Sequence, residues 1–282
     1  MSEQQTLVEK LGYPADARLL IMNCDDLGSS HSANVATIET MEKGISSSAT
    51  LMVCCPWAKE AVEMSRGKDV GVHLTLTAEY PTYRWRSMIG AKSLHDDEGY
   101  FPKTIKEVWA KADLGDVDRE LRAQIDQALD WGVDVTHIDS HMGTMYRDPR
   151  FLEIYLQLAV DYRLPVRMRS PKREGDLSFP ARPVAKAMGL VYPDDFDFAF
   201  PNSTFDLIYR YVPTMEPGVM EMLVHPVQDT VELRAYDFEA AQVRVDEYAA
   251  AMSPSVAALL ASRGIQLISY RPLRDLYRRG LG

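Results

Sequence analysis

Short apolar runs alternate with longer amphipathic stretches along most of this 282-residue chain, and that alternation restricts its fold more than any other feature. Leu19, Leu20, Ile21 and Met22 read as a buried strand. The stretch after it carries Val35, Ile38 and Met41 at helical spacing, with Gly44 as the cap. SSATLMVCC, a helix entered near Pro56, and DVGVHLTL repeat the order. Later units are a helix over 116–131, DVTHIDS, a helix over RDPRFLEIYLQLAVDYR, LPVRMRS, VMEMLVHPV, two helical stretches from Phe238 to Gly264, and IQLISY. Strand, helix, strand in succession requires parallel strands with helical crossovers. About seven such units fit a single-domain α/β fold of (β/α) barrel type better than two small domains, with an open doubly wound sheet as the alternative. Residues 1–17 form a polar N-terminal extension. Residues 79–116 and 171–217 break the rhythm with aromatics, prolines and turn residues, and are expected to be long irregular loops over the site.

Composition narrows the function. A net charge of −10 opposes nucleic-acid binding, which calls for a basic stripe. No apolar run is long enough to span a bilayer, and the N-terminus lacks a signal-peptide pattern, so no membrane partner is expected. Cys24, Cys54 and Cys55 make neither a disulfide framework nor a zinc-finger spacing, which points to a reducing cytoplasm.

The informative residues sit at strand ends. Asp25 and Asp26 follow the first strand directly; GVHLTL carries His73, VTHIDSH carries His137 and His141, and MLVHPV carries His225. In parallel α/β folds the C-terminal ends of the strands converge on one face, where active sites are built. Four strands therefore send ionisable groups to one mouth. Adjacent carboxylates repel, and burying them is costly unless they are paired or bound to a metal. A cation held by one carboxylate and two imidazoles would relieve that repulsion and leave the second aspartate free as a base. In HIDSH, alternation puts His137, Asp139 and His141 on one strand face, and Asp139 also suits the role of orienting an imidazole. No glycine-rich phosphate loop or GxSxG elbow is present. A glycosidase-like acid pair would leave the histidines unexplained.

NCDDLG, GISSSATLMV, VGVHLTL, VTHIDSH, MLVHP and GIQLISYRPL, in that order, resemble the YdjC-like carbohydrate deacetylases over residues 18–275. The resemblance implies a (β/α) barrel-like fold related to polysaccharide deacetylases, one divalent metal ion (magnesium or zinc), a small carbohydrate substrate and a homodimer. It implies hydrolytic removal of an N-acetyl group from an amino sugar or oligosaccharide. By the same resemblance Asp26, His73 and His141 are the metal ligands, Asp25 the general base and His225 the general acid. His137, Asp139 and Asn34 are supporting residues. Tyr83 and Trp85, in the first irregular segment, are candidates for stacking on sugar rings. The chain departs from the pattern at HMGTMY, where further histidines are usual, and at His31, where a small residue is expected; both changes are expected to fall near the sugar site. Two other readings stand beside this one: a metal-dependent hydrolase of another small polar amide or ester, and a non-catalytic sugar-binding relative. The spare carboxylate of Asp25 argues against the last.

Overall fold

The computed structural model describes residues 5–280. Strands β1 (Arg18–Leu27), β2 (Ser48–Leu51), β3 (Val70–Leu74), β4 (Ile138–Ser140), β5 (Asp195–Asp197), β6 (Gly218–Val224) and β7 (Ile265–Leu267) form one parallel sheet. Its order is β4-β3-β2-β1-β6-β5, with β7 paired to the first three residues of β1. Helices between the strands cover the outside, which is the (β/α) architecture the alternation requires. The sheet is curled. Beyond β4 a bridge from Ile138 to Val166, and a hydrogen bond from the Val166 amide to the Val191 carbonyl, lead toward the chain entering β5.

Strand alternation divides β1 between two environments. Leu20, Met22 and Cys24 pack outward in the cluster under the helices, while Leu19 and Ile21 join Val8, Val219, Tyr270 and Leu273 in a second cluster. Farther along the inward parity the side chains turn polar. Asn23 and Asp25 on β1, Thr50 on β2, His73 on β3, Asp139 on β4 and Glu221 on β6 are all buried. An apolar floor thus carries a charged layer at the strands' C-terminal ends.

The sequence reading differs from this structure in two places. LPVRMRS, read as a full strand, makes only the single bridge at Val166. The segment 171–217 contains helices Ala181–Ala187 and Thr204–Tyr211 as well as β5, and helix Ile105–Lys111 lies in the segment 79–116. These elements are short, three to eight residues, so prolines and aromatics between them conceal any period.

Candidate metal and catalytic site

Alternation alone would send Asp25 inward and Asp26 outward. The backbone changes that. Between Cys24 and Leu27 the register against β2 slips by one residue, and Asp26 takes φ of 64°, the left-handed region that aspartate tolerates better than most residues. Gly28 follows at φ of 93°, and its missing side chain allows close approach: a Cβ there would lie 3.1 Å from the Ala58 Cα. Its amide donates to Asn34 Oδ1 at 2.7 Å, while Asn34 Nδ2 donates to the Trp57 carbonyl and to Glu60. Asn34 therefore holds the bulge in shape and does not line the cavity at the site. Both aspartates end up facing the interior.

Asp26 Oδ1 lies 3.4 Å from His73 Nε2 and 3.3 Å from His141 Nδ1, and the two ring nitrogens are 3.3 Å apart. That triangle is what three donors about 2.0–2.2 Å from a shared ion in tetrahedral array would span. Asp26 Oδ1 is buried without a hydrogen-bond donor, an arrangement that fits a cation. Each donor is backed from behind. His73 Nδ1 meets Asp139 Oδ1 at 2.6 Å, His141 Nε2 meets Glu79 at 3.0 Å, and Arg244 Nη1 donates to Asp26 Oδ2 at 2.8 Å. Such carboxylate–imidazole pairs fix the tautomer of a metal-ligating histidine. Burial alone would lower the His73 pKa, but Asp139 and Asp25 outweigh it and raise it to about 9. His141 goes the same way against burial, driven mainly by Glu79. Burial would raise Asp26, yet the adjacent imidazoles of His141 and His73 and the Arg244 charge hold it well below the usual carboxylate range. An imidazole–carboxylate cluster this tightly paired is poised to exchange protons for a metal.

Asp25 sits beside the triangle, its Oδ2 3.9 Å from His73 Nε2. Arg167 grips it with two hydrogen bonds of 2.7 Å, and Asn23 Nδ2 donates to it at 2.8 Å. Arg167 also reaches Asp139 at 2.8 Å and Glu221 at 2.8 Å, so one buried guanidinium joins three carboxylates. Burial opposes ionisation of Asp25, but Arg167 and His73 prevail and keep it below the usual range. Glu221 lies farther in, bonded to the Tyr270 hydroxyl at 2.6 Å; burial raises its pKa to about 7 despite Arg167. Beneath this layer His137 stacks on Tyr270, ring centroids 3.7 Å apart and nearly parallel. Burial and the Arg167 charge keep His137 neutral.

His225, just past β6, lines the same cavity, and the buried Glu247 accepts from its backbone amide at 2.8 Å and meets Nδ1 at 3.1 Å. The cavity holds about 370 Å³. Its wall comprises Met142, Gly143 and Tyr146 of the HMGTMY turn and Arg147 just after it, with Phe196, Phe198 and Phe200 from the second irregular segment. Tyr83 and Trp85 do not line it. The Tyr83 hydroxyl donates to the Ser29 carbonyl at 2.6 Å, and Trp85 Nε1 donates to the Thr77 carbonyl at 2.7 Å, with its ring buried edge-on to His141. Both anchor the loop, and the aromatic wall comes from the other segment. His31 also lies away from the cavity, exposed and paired with Glu60 at 2.9 Å.

Sequence reasoning missed Arg167, Glu221, Glu79, Arg244 and Glu247. A signal existed for two of them. In PVRM and VMEML a charged residue alternates with apolar neighbours inside a strand-like run, which in a doubly covered sheet can only point inward.

The pattern of residues matches a known family. Residues 19–262 match the model of the YdjC-like proteins. A carbohydrate deacetylase of Thermus thermophilus is 33% identical over 277 residues, covering 95% of this chain and 98% of that protein. A carbohydrate deacetylase of Geobacillus stearothermophilus is 33% identical over 263 residues, covering 92% and 99%. A crystal structure from Enterococcus faecalis V583, of a protein assigned to cellobiose-phosphate cleavage, superimposes with a TM-score of 0.81 at 26% identity, covering 91% of this chain and 99% of that one.

Proposed function

This chain belongs to the YdjC-like family, and we propose that it is a metal-dependent hydrolase that removes an N-acetyl group from an amino sugar or oligosaccharide. The observation that carries the reading is the re-aimed Asp26, whose free oxygen meets His73 and His141 while Asp25 remains beside them. Asp26, His73 and His141 would hold one divalent ion. Two nitrogen donors and one oxygen suit zinc; magnesium would keep more waters. When bound, the ion supplies Lewis acidity that polarises an amide carbonyl and acidifies water.

The protein's own groups do the rest. Asp25, kept ionised and fixed by Arg167, accepts the proton of the attacking water. Its low basicity is offset by permanent deprotonation and fixed orientation. His225, oriented by Glu247, donates a proton to the departing sugar nitrogen. The aromatic wall of Phe196, Phe198 and Phe200 excludes water and offers faces to sugar rings. Three free thiols suit a cytoplasmic setting.

Arg147, Arg169 and Arg173 also line the cavity, and their only ion pairs among the described residues are with Asp176 and Asp197. They favour a substrate that carries an anionic substituent, such as a sugar phosphate. The test is acetate release from N-acetylglucosamine oligomers and their 6-phosphates by protein loaded with zinc or magnesium. Chelator-sensitive release supports the proposal, with the phosphates preferred; no release from either under any metal would overturn it.

A further inference from the structure

Helix Ala241–Ala251 inverts the usual distribution of side chains. Its buried residues are Ala241, Arg244, Glu247, Ala250 and Ala251, while Val243 and Val245 are only partly buried. A surface helix ordinarily turns its valines inward and its charges to water. Burying a cation and an anion is costly, and the contacts show what the cost sustains. Arg244 spends its three donor directions on Asp237 at 2.7 Å, Asp26 Oδ2 at 2.8 Å and the Tyr80 hydroxyl at 2.8 Å. Glu247, fully buried, holds His225 through both its amide and Nδ1 and accepts from the Thr204 hydroxyl at 3.2 Å. Residues three apart share a helix face, so one turn reaches the end of β1 and the end of β6 together. The helix is itself tied down, its Ala251 carbonyl accepting from the Ile45 amide at 2.9 Å.

We propose that this helix is the positioning element of the site, with Arg244 aiming the Asp26 carboxylate and Glu247 fixing the ring of His225. By occupying Oδ2, Arg244 leaves Oδ1 turned toward His73 and His141. A carboxylate only accepts, so Glu247 holds a proton on Nδ1 and leaves Nε2 facing the cavity, where the imidazolium form carries the second proton that His225 donates. The catalytic use of that nitrogen rests on the deacetylase reading; the positioning does not.

The test uses full-length Arg244→Lys, Glu247→Gln and Glu247→Asp, each checked by thermal melting, with two readouts that need no turnover. Zinc affinity is measured by calorimetry on metal-stripped protein. The ring tautomer of His225 is followed by nitrogen-15 NMR on histidine-labelled protein. Lysine keeps the charge of Arg244 but not its fork, so R244K weakens zinc binding about 10-fold or more, the range seen when groups behind a ligand are lost. E247Q leaves zinc affinity unchanged and releases His225 from its single tautomer. In the acetate assay E247Q lowers kcat about 10-fold or more with KM unchanged, and E247D restores part of it. Wild-type zinc affinity in R244K overturns the role of Arg244. An unaltered His225 tautomer in E247Q overturns that of Glu247. If the wild type releases no acetate, the functional reading fails, while the zinc and NMR measurements still decide the positioning.

Discussion

Replacing Gly71 by alanine puts a methyl group where the layer beneath the site has no room for one. A Cβ at this position would lie 2.6 Å from His137 Nδ1 and 2.6 Å from the His137 carbonyl oxygen. Neither atom can retreat easily. The carbonyl accepts the Val72 amide at 3.0 Å, and the ring is stacked on Tyr270 and bonded to the Thr136 hydroxyl at 3.0 Å. Relief must come from the backbone of β3 or β4, which places the cost near the upper end of overpacking, about 2–3 kcal/mol. For a chain of this size each kcal/mol shifts Tm by about 2–4 °C, so melting should fall by about 4–12 °C. His73 lies two residues farther along β3, so the same displacement reaches a proposed ligand, and zinc affinity should fall with Tm. Gly175→Ala is the control, because nothing lies within 4 Å of its added Cβ. Scanning calorimetry of both metal-free variants decides the matter. A Gly71→Ala protein that melts with the wild type would refute the packing of His137 against β3.

Phe198→Ala should raise KM several-fold by opening the aromatic wall, whereas Tyr83→Phe should leave KM unchanged and cost about 1 kcal/mol for its lost hydrogen bond; steady-state kinetics and denaturant melts separate the two. Thiol labelling should be selective. Burial pushes the Cys24 thiol up to about 12 and raises that of the buried Cys55 as well, while Cys54 is partly exposed, so a maleimide at pH 8 should add one equivalent promptly in intact-mass spectra. Three prompt additions would contradict the packing around β1 and β2.

The strands and the position of the site were legible because both depend on local pattern. Apolar runs of four or five residues announce strands, and an ionisable residue at the end of such a run has few reasons to be there. His73, His141, Asp25 and His225 all carry this local signal. What stayed hidden depends on contacts between distant segments. The bulge that re-aims Asp26 follows from the register of β1 against β2 and from the Asn34 side chain six residues beyond Gly28. Arg244 and Glu247 sit in a helix whose valines look like its core face, and only the packed structure shows that the charges face inward. Tyr83 and Trp85 in residues 79–116 are conspicuous in the sequence, but they bond to the Ser29 and Thr77 carbonyls outside that segment, and the phenylalanines of 196–200 form the wall.

The division of labour between the two adjacent aspartates is the centre of the account, and Asp25→Asn tests it most directly. The variant keeps Asp26, His73 and His141, so metal-stripped protein should still take up one zinc ion per chain by calorimetry. Acetate release from the best N-acetylated sugar by that loaded variant should fall about 10²–10⁴-fold, the loss expected on removing a general base. Full zinc binding with undiminished acetate release would contradict the assignment of Asp25 as the base.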